Sequence, residues 1–199
     1  MKLPARQSKS LARKGLTAFG IVGVLCFVAA GCILSPHKKD KGGTPPPPTY
    51  GANLAPESVL VNLARAYQNR DTLEYASLYD DSYTGSSLDN LDPNAQVIPF
   101  TKADEARHIA SLAQSTSITS ITLTLRPTVT TGAHYHDNGD PPGWSTIQDP
   151  FLRLTIDANP TSYDVPLTDD KIFFKFIPTP VASSSDTTWK IIQWTEVFH

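Results

Sequence analysis

The 199-residue chain is 40% hydrophobic and 18% charged, and its net charge of −2 becomes −7 from Cys32 onward, because Lys2, Arg6, Lys9, Arg13 and Lys14 precede that point and no acidic residue does. An acidic domain without a Lys/Arg stripe argues against nucleic acid as a partner. Cys26 and Cys32, the two cysteines, both precede the domain, so it has no disulfide; its length suits one domain with a real core.

The stretch from Leu16 to Cys32, LTAFGIVGVLCFVAAGC, follows a cationic segment and ends in small residues, the layout of a secretory signal peptide. Its end, Ala29-Ala30-Gly31-Cys32, resembles a bacterial lipobox, with Ala29 where Leu is usual. The resemblance implies a diacylglyceryl group on the Cys32 thiol and cleavage just before it. The expectation is a signal peptide over 1–31, a lipid anchor at Cys32, and a domain outside the cytoplasm on the cell membrane or outer membrane. Ile33, rather than Asp, after Cys32 resembles outer-membrane sorting. The alternative is an uncleaved anchor, since no charge lies between Gly15 and Pro36 and that length just spans a bilayer. Either way the Lys/Arg-rich flank stays inside. Residues 32–54 then read as a tether, flexible through KKDKGG and stiff at Pro45 to Pro48, with His37 solvated.

The domain, 55–199, begins with APESVLVNLARAYQNRD. Pro56 suits the first helical position and Glu57 the first turn. Leu60, Leu63, Ala64 and Tyr67 then share the buried side of the helix, with Val59 and Ala66 on its flank. Asp71 and Glu74 mark a second helix from Thr72 to about Tyr79, on which Tyr75, Leu78 and Tyr79 share a face. SYTGSSLDNLDPNA reads as loop. Thr101 with Asp104 or Glu105 starts a third helix, Lys102 to about Gln114, with Ile109, Leu112 and Ala113 inward.

Beyond Ser115 the period changes to that of strands. Ile121, Leu123 and Leu125 alternate with threonines, and Leu152, Leu154 and Ile156 with Arg153 and Thr155. KIFFKF puts Ile172, Phe174 and Phe176 on one side. WKIIQWTEVF is apolar on both faces in places, as a central strand covered on both sides would be. Tyr163, Val165 and Leu167 suggest a short strand that Pro166 confines to an edge. The expected class is α+β, N-terminal helices packed on a curved antiparallel sheet.

PESVLVNLARAYQNRDTLEYASLYDDSYT and WKIIQWTEVF resemble the two ends of the nuclear transport factor two-like superfamily, which includes the ketosteroid isomerase and SnoaL groups. The resemblance implies a cone-shaped, cystatin-like roll enclosing a pocket, often in a homodimer. It implies no activity, since the fold serves enzymes, binding modules and assembly domains alike.

Asp80, Asp81 and Tyr83 follow the second helix, near where enzymes of this superfamily place a catalytic acid or base. A pocket Asp could abstract a proton while a Tyr donates to the oxyanion; paired Asp at a helix end are more often solvated. Tyr67, Tyr75, Tyr79 and Trp194 are candidate pocket-lining residues, although aromatics at helical spacing also build cores. In GAHYHDNGDPPGW, His134 and His136 with Asp137 or Asp140 could begin a metal site, but DNGDPPG favours a solvated hairpin loop. His108 and His199 read as surface residues. No cofactor motif is present. The sequence favours a binding domain for a small molecule or protein; the alternative is an isomerase- or dehydratase-type enzyme using Asp81 and a pocket Tyr.

Overall fold

The computed structural model describes residues 46–90, 92, 94–181 and 186–198. The stretch read as a signal peptide, the proposed lipid site Cys32, His37 and His199 lie outside the described residues. Among the described residues no helix is long and apolar enough to cross a membrane.

The described residues form three α-helices, two before the first strand and one after the second. Helix α1, Pro56–Asn69, buries Val59, Leu60, Leu63, Ala64, Ala66 and Tyr67, the stripe expected from their spacing. Arg70 ends it in a left-handed conformation, φ 54°. Helix α2, Thr72–Ser77, is capped by Asp71, whose side chain accepts from Glu74 N–H. Helix α3, Lys102–Gln114, starts with a capping box between Thr101 and Asp104. Its buried residues are Glu105, Ile109 and Leu112, while Ala113 is exposed.

Eight strands follow or interleave: β1 Tyr79–Asp89, β2 Ile98–Thr101, β3 Ile118–Leu125, β4 Ser145–Gln148, β5 Phe151–Ala158, β6 Thr161–Pro166, β7 Lys171–Pro180 and β8 Thr187–Phe198. They form a five-stranded sheet, β2-β1-β8-β7-β4, and a three-stranded sheet, β3-β5-β6. The chain changes sheet between β4 and β5 at Asp149, which has φ 48° and accepts the Ile172 N–H at 2.8 Å. Phe151 rejoins the sheets by packing on Phe174 and Trp194, with ring centroids 5.5 and 6.3 Å away. This is the expected α+β class, and β8 is central and β6 an edge, as their patterns required.

Two departures matter for the site. Residues 79–89 form the longest strand of the N-terminal half instead of a helix end and a loop. Helix α2 stops at Ser77 because Leu78 C=O accepts from Ile191 N–H at 2.9 Å and Tyr79 pairs with Ile191. The partner strand, not the local sequence, makes β1 extended. Secondly, β1 runs parallel to β8, whereas every other strand pair is antiparallel.

The N-terminal segment packs against α1. Buried Asn62 donates to Gly51 C=O and Asn53 Oδ1 and accepts from Gly51 N–H, and Tyr50 OH donates to Asp71.

Candidate functional site

The concave face of the large sheet is set by side-chain alternation. Tyr83, Gly85 and Ser87 of β1 are buried, and on β8 and β7 the opposing residues are Trp194 with Phe174 and Glu196 with Ile172. Gly85 is required there: a Cβ on it would lie 2.0 Å from the Phe100 ring, which crosses the strand at that point. Phe100 thereby reaches Trp194, centroid to centroid 6.4 Å, at 82°. Ring contacts run on through Tyr83, Tyr79, Tyr75 and Tyr67 to His108. Tyr67, Tyr75, Tyr79 and Trp194 therefore belong to one interior aromatic chain.

Glu105 lies within this apolar body. It is 7% exposed, and both its oxygens accept tyrosine hydroxyls, Oε2 from Tyr75 at 2.9 Å and Oε1 from Tyr83 at 3.1 Å. Tyr79 OH donates to Tyr75 OH at 2.8 Å, extending the network. Burial pushes Glu105 up to about 7, although the two tyrosine hydrogen bonds pull in the other direction. The same burial, with the Glu105 charge, raises all four phenols.

A second carboxyl, Glu196, is pushed up to about 8, first by burial and then by Glu105 and Asp170. It keeps partial solvent exposure although protein surrounds most of it. The Trp194 indole N–H lies toward Glu196 and offsets part of this rise. The pair still falls short of hydrogen-bond geometry, so Trp194 Nε1 is buried without a partner. One helical turn beyond Glu105, His108 is held down to about 4 by burial. Its neutral ring lies 2.9 Å from the Tyr67 hydroxyl, which donates to Nε2 in the tautomer with its proton on Nδ1.

The site thus holds two carboxyls that retain protons near neutrality, phenolic donors, a neutral imidazole and one unmet indole donor. It can bind a polar group away from bulk water, and its carboxyls can exchange protons near neutral pH.

Sequence comparison finds no matching family model and no significant match among curated proteins. The fold is similar to solved structures of NTF2-like proteins. A Novosphingobium aromaticivorans NTF2-like protein with a cystatin-like fold is 10% identical, with a TM-score of 0.46 over 71% of this chain and 78% of its own. A Salmonella enterica NTF2-like superfamily protein is 10% identical, with a TM-score of 0.48 over 70% of this chain and 85% of its own. A Streptomyces avermitilis NTF2-like protein proposed to be a dehydratase is 12% identical, with a TM-score of 0.42 over 71% and 91%. These likenesses are remote and concern the fold.

The other candidates from the sequence lie apart from this interior. Asp81 is 98% exposed in its side chain and pairs with Lys102 at 2.8 Å; that bond holds its carboxyl below the usual range. Asp80 accepts from Ser82 N–H and Oγ and is lowered by those bonds. Asp81 lines an open 520 Å³ groove on the outside, with Ala76, Ser82, Lys102 and Ala106. Tyr83 borders that groove while its hydroxyl points inward to Glu105.

The two histidines of the 133–144 segment diverge. His134 Nδ1 lies 2.6 Å from Glu57 Oε1, and His136 Nδ1 lies 3.1 Å from Trp144 O. Asp140 instead pairs with Lys175 at 2.5 Å, and Asp137 with the same Lys175 at 3.5 Å. Among the described residues no three His, Cys, Asp or Glu side chains are arranged to hold a metal ion.

His108, expected at the surface, is half-buried, stacked on Tyr67 and hydrogen-bonded to its hydroxyl. Glu105 was missed because an acid in the first helical turn reads as a capping residue; its spacing to Ile109 and Leu112, i, i+4 and i+7, was the available sign that it faces inward. Glu196 likewise stands between Trp194 and Phe198 on one alternating apolar face of β8, whereas Phe100 carried no comparable signal.

Proposed function

We propose that this chain is a lipoprotein, anchored through Cys32 outside the cytoplasm, whose domain binds a small polar ligand against the interior cluster of Glu105, Glu196 and Trp194. The observation that carries the binding reading is the buried Trp194 Nε1 with no acceptor, next to a proton-retaining carboxyl. A buried donor left unmet costs about 1–3 kcal/mol, and a bound acceptor removes that cost. The cationic start and the lipobox-like Ala29-Ala30-Gly31-Cys32 support the anchor.

The binding claim is tested by a fragment screen read on the three tryptophan indole N–H resonances of the full chain. Hits should move Trp194 and leave Trp144 and Trp189 in place, and in Trp194→Phe the same compounds should give no saturation-transfer signal. Hits that move only the other two, or none at all, contradict the site. Mass spectrometry of the mature N-terminus decides the anchor: a lipid mass on Cys32 that Cys32→Ala removes is expected, and unchanged processing in that variant refutes it.

An enzyme of isomerase or dehydratase type is the second reading, favoured by Glu105 standing near 7 beside two phenols. Its acid–base group would be Glu105 in place of Asp81. Binding is preferred because both Glu105 oxygens are already occupied by Tyr75 and Tyr83 and the residue is buried.

A further inference from the structure

We propose that the ligand is a small organic cation carrying a hydrogen-bond acceptor beside its charge, a quaternary amino alcohol being the simplest example. This rests on the binding reading above and adds the ligand's charge and shape to it.

The geometry specifies three features. Trp194 has Phe174, Phe151 and Phe100 around it at 4.6, 6.3 and 6.4 Å between centroids. Glu196 lies two residues further along the same face of β8, between Ser87 of β1 and Ile172 of β7. A cation against aromatic faces and a carboxylate gains from both, the ring interaction alone being worth about 0.5–2 kcal/mol. Thirdly, the unmet Trp194 N–H requires an acceptor on the ligand.

The groups that bear on Glu196 set the sign of the charge. They are Glu105 from α3, Asp170 from the turn before β7, and Trp194 on its own strand; the Tyr67 and Tyr83 phenols, from α1 and β1, also feel its charge. No basic side chain among the described residues acts on Glu196. An anion entering here would meet two carboxyls, whereas a cation supplies a counter-charge to both. Because a cation favours the ionised carboxyls, its binding expels protons from them, and affinity rises with pH. A quaternary ammonium does not titrate, so this pH dependence belongs to the protein.

The test is a titration of the full chain with choline and with its neutral isostere 3,3-dimethylbutan-1-ol, followed on the Trp194 indole resonance near pH 6 and near pH 9. Choline should shift Trp194 saturably and bind about tenfold more tightly than the isostere, as one charge interaction of this kind predicts. It should also bind more tightly at the higher pH. Glu196→Gln should erase the preference for choline, with an unchanged circular dichroism spectrum confirming the fold. If the neutral alcohol binds at Trp194 as well as choline does, the cation assignment fails and the binding site stands. If neither compound moves Trp194 at either pH, this inference fails, and the fragment screen alone decides the site. The pH comparison uses the unmodified protein, so a variant that fails to fold leaves the conclusion intact.

Discussion

Asp81 and Glu105 are both neighbours of Tyr83 and behave as opposites. Asp81 is open to solvent and paired with Lys102, so its carboxyl is lowered. Glu105 accepts from two phenols and is enclosed by aromatic rings, so burial raises it to about 7. The contrast shows desolvation overriding two good hydrogen bonds. In this fold, chemistry near neutral pH is available to the buried acid, while the exposed pair of Asp residues is spent on local turns and an ion pair.

The comparison breaks most sharply by truncation. Glu105→Ala removes the acceptor of both the Tyr75 and Tyr83 hydroxyls and should destabilise the domain by about 4 kcal/mol in urea unfolding. Asp81→Ala should leave the midpoint unchanged.

The next largest effect is on pH. A carboxyl raised in the folded state keeps a proton that the unfolded chain releases. Its contribution to stability is therefore full below the unfolded value near 4.5 and declines as pH rises towards the folded value near 7. His108 acts in the opposite sense, since its lowered value makes stability rise between about 4 and 6.5. Subtracting a Glu105→Gln variant isolates the carboxyl: wild type should lose on the order of 3 kcal/mol relative to that variant between pH 4.5 and 7. A constant difference across the range would show that Glu105 is not raised.

Gly85→Ala tests the aromatic side of the cluster. The added methyl meets the Phe100 ring and should cost about 2 kcal/mol, with displacement of the Trp194 emission maximum. Phe100→Ala in the same chain should recover most of that loss; if it recovers none, the close approach of ring to strand is not the cause.

The smallest contrast lies in the 133–144 segment. Asp140, whose side chain is 4% exposed, pairs with Lys175 at 2.5 Å, whereas Asp137 lies at 3.5 Å with its side chain 48% exposed. Asp140→Asn should lower stability by about 1 kcal/mol, and Asp137→Asn should have no measurable effect.

What the sequence made legible was governed by apolar period. Leu60, Leu63, Ala64 and Tyr67 on α1, and Ile172, Phe174 and Phe176 on β7, were readable because their neighbours are polar and their spacing belongs to one structure. Strand β1 was not readable, since SYTGSSLD has Gly and Ser at inward positions and takes its extended form from pairing with β8 and β2. The same reason hid the site. Gly85 matters through Phe100, fifteen residues away, and Glu105 matters through two tyrosines on other elements; neither relation leaves a local pattern. The tyrosines themselves were visible as a helical face, but their hydrogen-bond acceptor was not.

The chain has four glutamates, Glu57, Glu74, Glu105 and Glu196, so ¹³C labelling of glutamate carboxyls gives four resonances. Following them from acid to alkaline pH tests the raised interior acids directly. Glu105 should titrate at about 7 and Glu196 at about 8, with Glu57 shifted below the ordinary value by its His134 contacts, against its own burial. Glu105 and Glu196 both titrating in the ordinary range near 4.5 would contradict the interior acid pair and the site built on it.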